Sequence, residues 1–225
     1  VAESGVAFMA EFPRRLYPAT LRLKELIATR LGKPRLVFCH QRMPVTIAPV
    51  PGKRHPAGHL AHRNLMELVD WCRYVVGLDP TSVVGVRHQG TDCEDDYQMM
   101  SLDFSPRGHL GEGPLAQLSC GRYMPAAWHE AVSYRPPAAL QVSCENGVAF
   151  IDLPSTLIWF DAAGRHMESL ESERPVGEQL LTIFHRAVTS LVRKIGDLED
   201  TYHALGVILA ARQSFQESRR VWLPG

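Results

Sequence analysis

A series of strand-like segments between Thr81 and about Arg174 constrains the fold of this chain more than any other feature. The segments are rich in β-branched and aromatic residues, and turn residues separate them. They comprise residues 81–89, 97–105, 114–124, 139–146, 147–154 and 155–165. The pairs Asn146-Gly147 and Ala163-Gly164 are typical of tight turns between neighbouring strands. The series therefore predicts an antiparallel meander.

Helical patterns flank this meander on both sides. Before it come a strand at 5–12, a helix at 19–32, a strand at 34–41, a proline-rich loop at 43–58 and a helix at 58–77. After it come helices at 176–195 and 197–215, the second capped by Asp197, and a short strand in "RVWLP". This order predicts an α+β fold, with a large, open, predominantly antiparallel sheet and helices on one face.

We expect one domain over residues 1–225. It divides into a strand–helix–strand–helix part (1–80), the meander (81–174) and the closing helices with the last strand (175–225). Some strands, such as "LIWF" at 157–160, are apolar on both of their alternating sets of side chains. We therefore expect the sheet face without helices to be covered by another subunit, in a homo-oligomer.

The composition argues against several classes of partner. Lys and Arg together number 24, as do Asp and Glu, so no net charge attracts nucleic acid or an anionic membrane. No apolar run reaches the roughly 18 residues that span a membrane. The five cysteines show no C-x-x-C spacing, which favours buried thiols in a reducing, cytoplasmic setting over a disulfide framework. The N-terminus lacks an initiator Met and a signal peptide, so we expect a piece of a longer protein.

Nucleotide-binding loops are not found in the sequence. The stretch "GHLGEG" at 108–113 has three glycines, but their spacing is G-x-x-G-x-G and the surroundings are β-rich. A dinucleotide site needs a strand, a Gly-rich turn and a helix in succession. We interpret the stretch as a hairpin loop, and we expect neither a nicotinamide nor an ATP site within this chain.

Two further clusters raise the question of a metal. His55, His59 and His62 lie close together, and an i, i+3 histidine pair can share a helix face and bind zinc. No Cys or carboxylate stands at ligand spacing nearby, so helix-entry histidines are the preferred interpretation. The acidic stretch "TDCEDDYQ" at 91–98 lacks the spacing and the glycine of a calcium loop, and it is interpreted as a solvated turn. We predict no metal site.

The helix at 58–77 carries a polar stripe. Arg63, Glu67, Asp70 and Tyr74 follow steps of 4, 3 and 4 residues, so they share one face. Leu65, Leu68, Val69, Cys72 and Val76 supply the apolar side. The stripe is either a functional surface or a solvated face on which Arg63 and Glu67 form an ordinary i, i+4 ion pair of about 0.3–0.5 kcal/mol.

The order of these motifs resembles the C-terminal domain of the Gfo/Idh/MocA family of NAD(P)-dependent oxidoreductases. "GVAFMAEFPRRLYPATLRLKELIATRLGKPRLVFCH" is similar to the opening of that domain, with its R-x-x-P turn. "LMELVDWCRYVVGLDPTSVVG" resembles its next helix and strand entry. "PLAQLSCG", "CENGVAFIDLPSTLIWFDAAGR" and "ALGVILAARQSFQESRRVWLP" resemble the later strands and the closing helix.

The resemblance implies a fold and an activity. It implies an open antiparallel sheet whose free face commonly forms a subunit interface. It also implies hydride transfer between NAD or NADP and a hydroxyl of a sugar- or polyol-like compound, as in sugar and inositol dehydrogenases. The cofactor would be bound mainly by a Rossmann half upstream of Val1. This chain without that half is therefore expected to be inactive and to bind no cofactor.

The resemblance also suggests site residues. The family's helix carries D-x-x-x-H, but here Arg63 stands at the Asp position and Glu67 at the His position. Glu67 and Asp70 are the candidate catalytic residues, since a sheltered carboxylate can act as a base. Arg15, matching the arginine of R-x-x-P, is a candidate substrate-binding residue together with Tyr17, Arg63 and Asn64. The alternative is a non-catalytic member that binds a ligand or a partner with the same surface.

Overall fold

The computed structural model describes residues 8–45, 57–89, 96–125, 130, 138–152, 155–171, 174–189 and 196–224. The α-helices in these ranges are α1 (Pro18–Leu26), α2 (Ala57–Val76), α3 (Val176–Thr189) and α4 (Gly196–Glu217). The strands are β1 (Pro34–Val45), β2 (Ser82–Gln89), β3 (Asp96–Asp103), β4 (Leu115–Pro125), β5 (Leu140–Cys144), β6 (Gly147–Asp152), β7 (Thr156–Asp161), β8 (Gly164–Ser169) and β9 (Val221–Trp222). A 3₁₀ turn at Pro13–Leu16 precedes α1, and a π-helical turn at Ile27–Leu31 follows it.

The nine described strands form one open sheet in the order β8-β7-β6-β5-β1-β4-β3-β2-β9. Strands β2 to β4 form one antiparallel meander, and β5 to β8 form another. Strand β1 joins them, running parallel to β4 and antiparallel to β5. The predicted α+β fold with a predominantly antiparallel sheet is confirmed.

The hydrophobic core lies between one face of this sheet and three helices. On β1, the side chains of Val37 and Cys39 are buried against the helices, whereas Leu36 on the same strand is exposed on the opposite face of the sheet. Helix α2 packs against β1 and β4, α4 against β2 and α2, and α1 against β6 and β7. The side chain of Trp71 on α2 is fully buried, and its indole N–H donates to the Thr20 hydroxyl at 3.0 Å.

Helix α2 ends where the sequence predicts. Gly77 adopts a φ of +79°, a left-handed conformation that glycine accepts without strain, and its N–H donates to the Arg73 carbonyl at 2.7 Å. Gly32, with a φ of +75°, ends the helical segment that begins at Pro18 in the same way. No helix in the described ranges combines the length and the apolar character needed to cross a membrane.

Several predicted boundaries were wrong. Residues 8–12 of the expected first strand are not in a strand, and residues 1–7 lie outside the described ranges. Strand β1 extends into the predicted loop. It can include Pro44 because its pairing with β4 shifts register there, and the missing N–H of a proline costs little at such a bulge. Strand β8 was not predicted as a separate strand. The side chain of Asp197 and most of the loop at 43–58 lie outside the described part.

Candidate functional site

Two arginines in the 3₁₀ turn lie against the polar stripe of α2. Pro13 stands at the first position of the turn, where its missing N–H costs nothing, and the turn carries Arg14 and Arg15 towards α2. Arg14 bonds to Glu67, whereas Arg15 bonds to Asp70 one helical turn further along. The stripe is therefore divided into two ion-pair clusters, each with its own arginine.

The first cluster is built around Glu67, whose side chain is 14% exposed. Its Oε2 atom lies 3.3 Å from Nε of Arg14, and its Oε1 atom lies 3.4 Å from Nε of Arg63. Arg14 also donates to Oε1 of Gln41 on β1 at 2.9 Å, and its guanidinium lies 5.1 Å from the centre of the Trp71 ring. Arg63, by contrast, is 58% exposed, so one oxygen of Glu67 faces a solvated partner.

The second cluster is tighter and more deeply buried. Asp70 is 1% exposed and accepts two hydrogen bonds from Arg15, one of them 2.7 Å long from Nε. Nη1 of Arg15 reaches Oδ2 of Asp200 on α4 at 2.8 Å, and Arg73 also bonds to Asp200 at 3.2 Å. This network connects the 3₁₀ turn, α2 and α4.

For each of the two aspartates, burial and the neighbouring arginines shift the pKa in opposite directions. Burial raises the pKa of Asp70 above its usual value, although Arg15 acts in the other direction. At Asp200 burial also favours the neutral acid, but Arg15 and Arg73 outweigh it and lower the pKa. Arg15 is thus shared between two carboxylates.

The structure brings some of the predicted residues together and separates others. Glu67, Arg63 and Asn64 lie on the same end of α2, where the side-chain amide of Asn64 contacts the sulfur of Met43 on β1 at 2.8 Å. Arg15 and Asp70 lie in the second cluster. Tyr17 is half-buried at the start of α1, where its carbonyl accepts the N–H groups of Thr20 and Leu21.

Sequence reasoning missed four residues of these clusters, one of which is Arg73 on α2, a partner of Asp200. Arg14 is buried beside Glu67. It immediately precedes Arg15, which was predicted, but Arg14 itself was not. Gln41 could have been found from the sequence, since it is a polar residue on the same face of β1 as Val37 and Cys39, which face the helices. Asp200 could not, because 130 residues separate it from Asp70 and only the packing of α4 brings it close.

No group of three metal-ligating side chains occurs in the described part of the chain. The side chains of the three clustered histidines lie outside that part, as does the stretch 91–95 of the acidic turn. The glycines at 108–113 lie in the loop between β3 and β4, and the N–H of Gly113 donates to Ser105 at 2.8 Å. No helix follows this loop directly, so it does not fit a dinucleotide.

Comparison with known proteins gives matches among solved structures. No protein-family model and no curated protein matches the sequence. One similar structure is an aldose-aldose oxidoreductase from Caulobacter crescentus complexed with glycerol (TM-score 0.76, 16% identity, 99% of this chain and 65% of that chain). Another is UDP-N-acetylglucosamine 3-dehydrogenase from Acidithiobacillus ferrooxidans (TM-score 0.71, 17% identity, 96% and 64%).

A third similar structure is an oxidoreductase from Agrobacterium radiobacter in complex with NAD⁺, L-tartaric acid and magnesium (TM-score 0.70, 14% identity, 98% of this chain and 66% of that chain). The chain thus spans just under two thirds of the length of these three proteins, and the match takes in nearly all of its own length. The matched structures include Gfo/Idh/MocA-type oxidoreductases. The chain has the fold of the C-terminal domain of that family.

Proposed function

We propose that this chain is the substrate-binding and oligomerisation domain of an NAD(P)-dependent oxidoreductase that acts on a hydroxyl group of a sugar- or polyol-like compound. The fold supports the proposal, and so do two proteins with that fold, an aldose-aldose oxidoreductase complexed with glycerol and a UDP-N-acetylglucosamine 3-dehydrogenase. This chain covers 65% and 64% of those two proteins, so about a third of each lies outside the match. We therefore assign the nicotinamide, which would exchange the hydride, to a part of the protein outside this chain.

The arrangement around Glu67 is the observation that carries the proposal. Its carboxylate is sheltered and stands at the position of α2 where the resemblance places an acid/base residue. A group in that position has to take the proton from the substrate hydroxyl as the alcohol is oxidised, and return it in the reverse direction. We assign this proton to Oε1, because its partner Arg63 is exposed and can move aside, whereas Arg14 holds Oε2.

The other residues are assigned by their contacts. Arg14 orients Glu67, and Gln41 orients Arg14 in turn. Arg63 is exposed and Asn64 is half-buried at the same end of α2, and we propose that they hydrogen-bond substrate hydroxyls there. For Asp70 and Arg15 we propose a positioning role, since each is the other's closest charged partner and neither is directed to the surface near Glu67.

The test is the turnover of the whole protein that carries this chain, with Glu67→Gln. Loss of the proton acceptor should lower kcat by about 10²-fold or more, while the isosteric side chain keeps the fold. The matched control is Glu178→Gln on α3, an exposed glutamate that should leave kcat unchanged. Turnover at the wild-type rate in Glu67→Gln would refute the assignment of the base.

One observation favours a second candidate function, ligand binding without chemistry. Both oxygens of Glu67 lie near guanidinium groups, and Arg63 replaces the aspartate that the family's motif has. A non-catalytic member would show no NAD(P) reduction with any sugar or polyol in the whole wild-type protein. It would still bind a polyol, and Arg14→Gln would weaken that binding.

We also propose that the sheet face without helices forms a homo-oligomer and that the protein works in the cytoplasm. Large apolar side chains on this face are exposed: Leu36, Val86, Leu115, Phe160, Met167 and Trp222. The four cysteines in the described ranges are free thiols, in keeping with a reducing compartment.

A further inference from the structure

Two thiols meet directly behind the candidate site, and the proposed function does not use them. Sγ of Cys39 on β1 lies 3.3 Å from Sγ of Cys72 on α2, and both side chains are fully buried. Cys39 stands two residues before Gln41, and Cys72 five residues after Glu67. The pair therefore lies at the contact between the two elements that carry the Glu67 cluster.

We propose that Cys39 and Cys72 form a reversible intramolecular disulfide when the protein meets a hydroperoxide, and that this bond fastens α2 to β1. A disulfide has an S–S distance of about 2.05 Å, so the sulfurs have to approach by roughly 1.2 Å. Since α2 already packs on β1, that approach needs only a small shift of side chains.

The reaction consumes one hydroperoxide for each disulfide. Cys39 loses its proton, its thiolate attacks one peroxide oxygen, and the O–O bond breaks. With hydrogen peroxide, the leaving hydroxide takes up the proton that Cys39 lost and departs as water. The sulfenic acid so formed is attacked by the sulfur of Cys72, which loses its proton, and a second water leaves as the S–S bond forms. Two thiols are oxidised by two electrons in total, and both oxygens of the peroxide end in water.

The surroundings of the pair make this reaction slow and dependent on pH. The contact with Cys39 raises the pKa of the Cys72 thiol well above its usual value, and burial adds to the effect. Cys72 thus keeps its proton at neutral pH, and the oxidant reaches the pair only when α2 moves away from β1. We expect the rate to rise with pH, and a small neutral peroxide to react where a bulky disulfide reagent does not.

The consequence of the bond concerns the candidate site. A bond between residues 39 and 72 closes a covalent loop that contains Glu67, Asn64 and the segment 46–56. It restricts the separation of α2 and β1, and hence of Glu67 and Gln41. It also restricts the unfolded chain, which stabilises the folded state.

The test is peptide mapping of the full chain after treatment with hydrogen peroxide at pH 8.5, acid quenching and blocking of free thiols. Each of the five cysteines falls in a different tryptic peptide, and the relevant two are Leu36–Arg42 and Asn64–Arg73. We expect these two to be joined, the intact mass to fall by about 2 Da, and dithiothreitol to reverse both changes. The Tm of the oxidised protein should rise by about 5 °C or more.

Two variants complete the experiment. Cys72→Ala should abolish the joined peptide and the gain in Tm, whereas Cys144→Ser, which removes another buried thiol, should leave both unchanged. Sulfinic acid at Cys39 without any joined peptide would overturn the proposal. So would a joined peptide that forms only after the protein is unfolded, or one that joins other cysteines instead.

Discussion

Two carboxylates three residues apart on α2 differ in how firmly their charged partners hold them. Glu67 and Asp70 belong to the same stripe, and both were predicted to be catalytic candidates. Asp70 is held by Arg15 with a 2.7 Å hydrogen bond and is closed off from water, whereas the bonds to Glu67 are 3.3 and 3.4 Å long. Short, buried ion pairs hold elements in place, and longer ones with an exposed partner can be exchanged for a ligand.

The free energy of unfolding of Asp70→Asn therefore tests whether the cluster around Asp70 contributes more to stability than the cluster around Glu67. The change leaves the half-buried Arg15 with Asp200 as its remaining carboxylate, and we expect a loss of about 3 kcal/mol in the free energy of unfolding. Urea denaturation followed by circular dichroism measures it. Arg63→Gln, which breaks an exposed pair, should cost less than about 1 kcal/mol. Equal losses in the two variants would contradict the distinction.

His40 on β1 gives a prediction about pH. Burial lowers its pKa and Arg42 adds to the effect, so the unfolded chain takes up a proton at a higher pH than the folded protein. Stability then contains a contribution that is present above about pH 6.5 and is lost as the pH falls through the lowered pKa. Urea midpoints between pH 5 and 8 should show a smaller slope in His40→Gln. An unchanged slope would show that other groups carry the dependence.

At the scale of the element, the contact of α4 with β2 depends on a glycine. A Cβ atom on Gly85 would lie 2.1 Å from the carbonyl oxygen of Ala211, a backbone atom that cannot turn away. Gly85→Ala should therefore destabilise the protein by about 2 kcal/mol or more, because α4 has to move off the sheet. Thermal unfolding measures the loss.

Gly206→Ala on α4 is the matched control for that change. No atom lies within 4 Å of a Cβ placed there, and alanine is the better helix former by about 1 kcal/mol. We expect this variant to be as stable as the wild type or more so. A loss of stability as large as that of Gly85→Ala would mean that the close approach does not decide the outcome.

Most elements could be predicted from side-chain periodicity. The meanders follow the alternation of buried and exposed residues, and Gly32 and Gly77 mark the ends of helices because their φ angles are positive. One failure has a non-local cause. The extension of β1 through Pro44 depends on a register shift with β4, some 80 residues away, which no local pattern reveals.

The same limit applies to the candidate site. The residues on α2 could be predicted, since a helix places Arg63 and Glu67 together by spacing alone. Arg14 and Asp200 could not, because their roles depend on how the 3₁₀ turn and α4 dock on α2. The catalytic role of Glu67 and the substrate-binding role of Arg63 stay predictions until turnover is measured.

At the scale of the molecule, the exposed sheet face predicts self-association. Phe160 on β7 and Met167 on β8 are both exposed on the face opposite the helices, where burial in a dimer would be favourable. We expect a dimer or a larger assembly by light scattering, and a shift to monomer in Phe160→Asp. Leu21→Asp, an exposed leucine on α1, should leave the assembly intact. A monomeric wild type would count against the interface.

The central position of β1 has a consequence for how the sheet assembles in time. Strands β2 to β4 and β5 to β8 can each pair with sequence neighbours, so the two meanders are local structures. Strand β1 pairs with β4 and β5, which lie some 80 and 100 residues later, and these pairings close long loops. Two half-sheets that form early would thus remain separate until β1 pairs with both of them. Until it does, Gln41 and Glu67 have no fixed relation to each other.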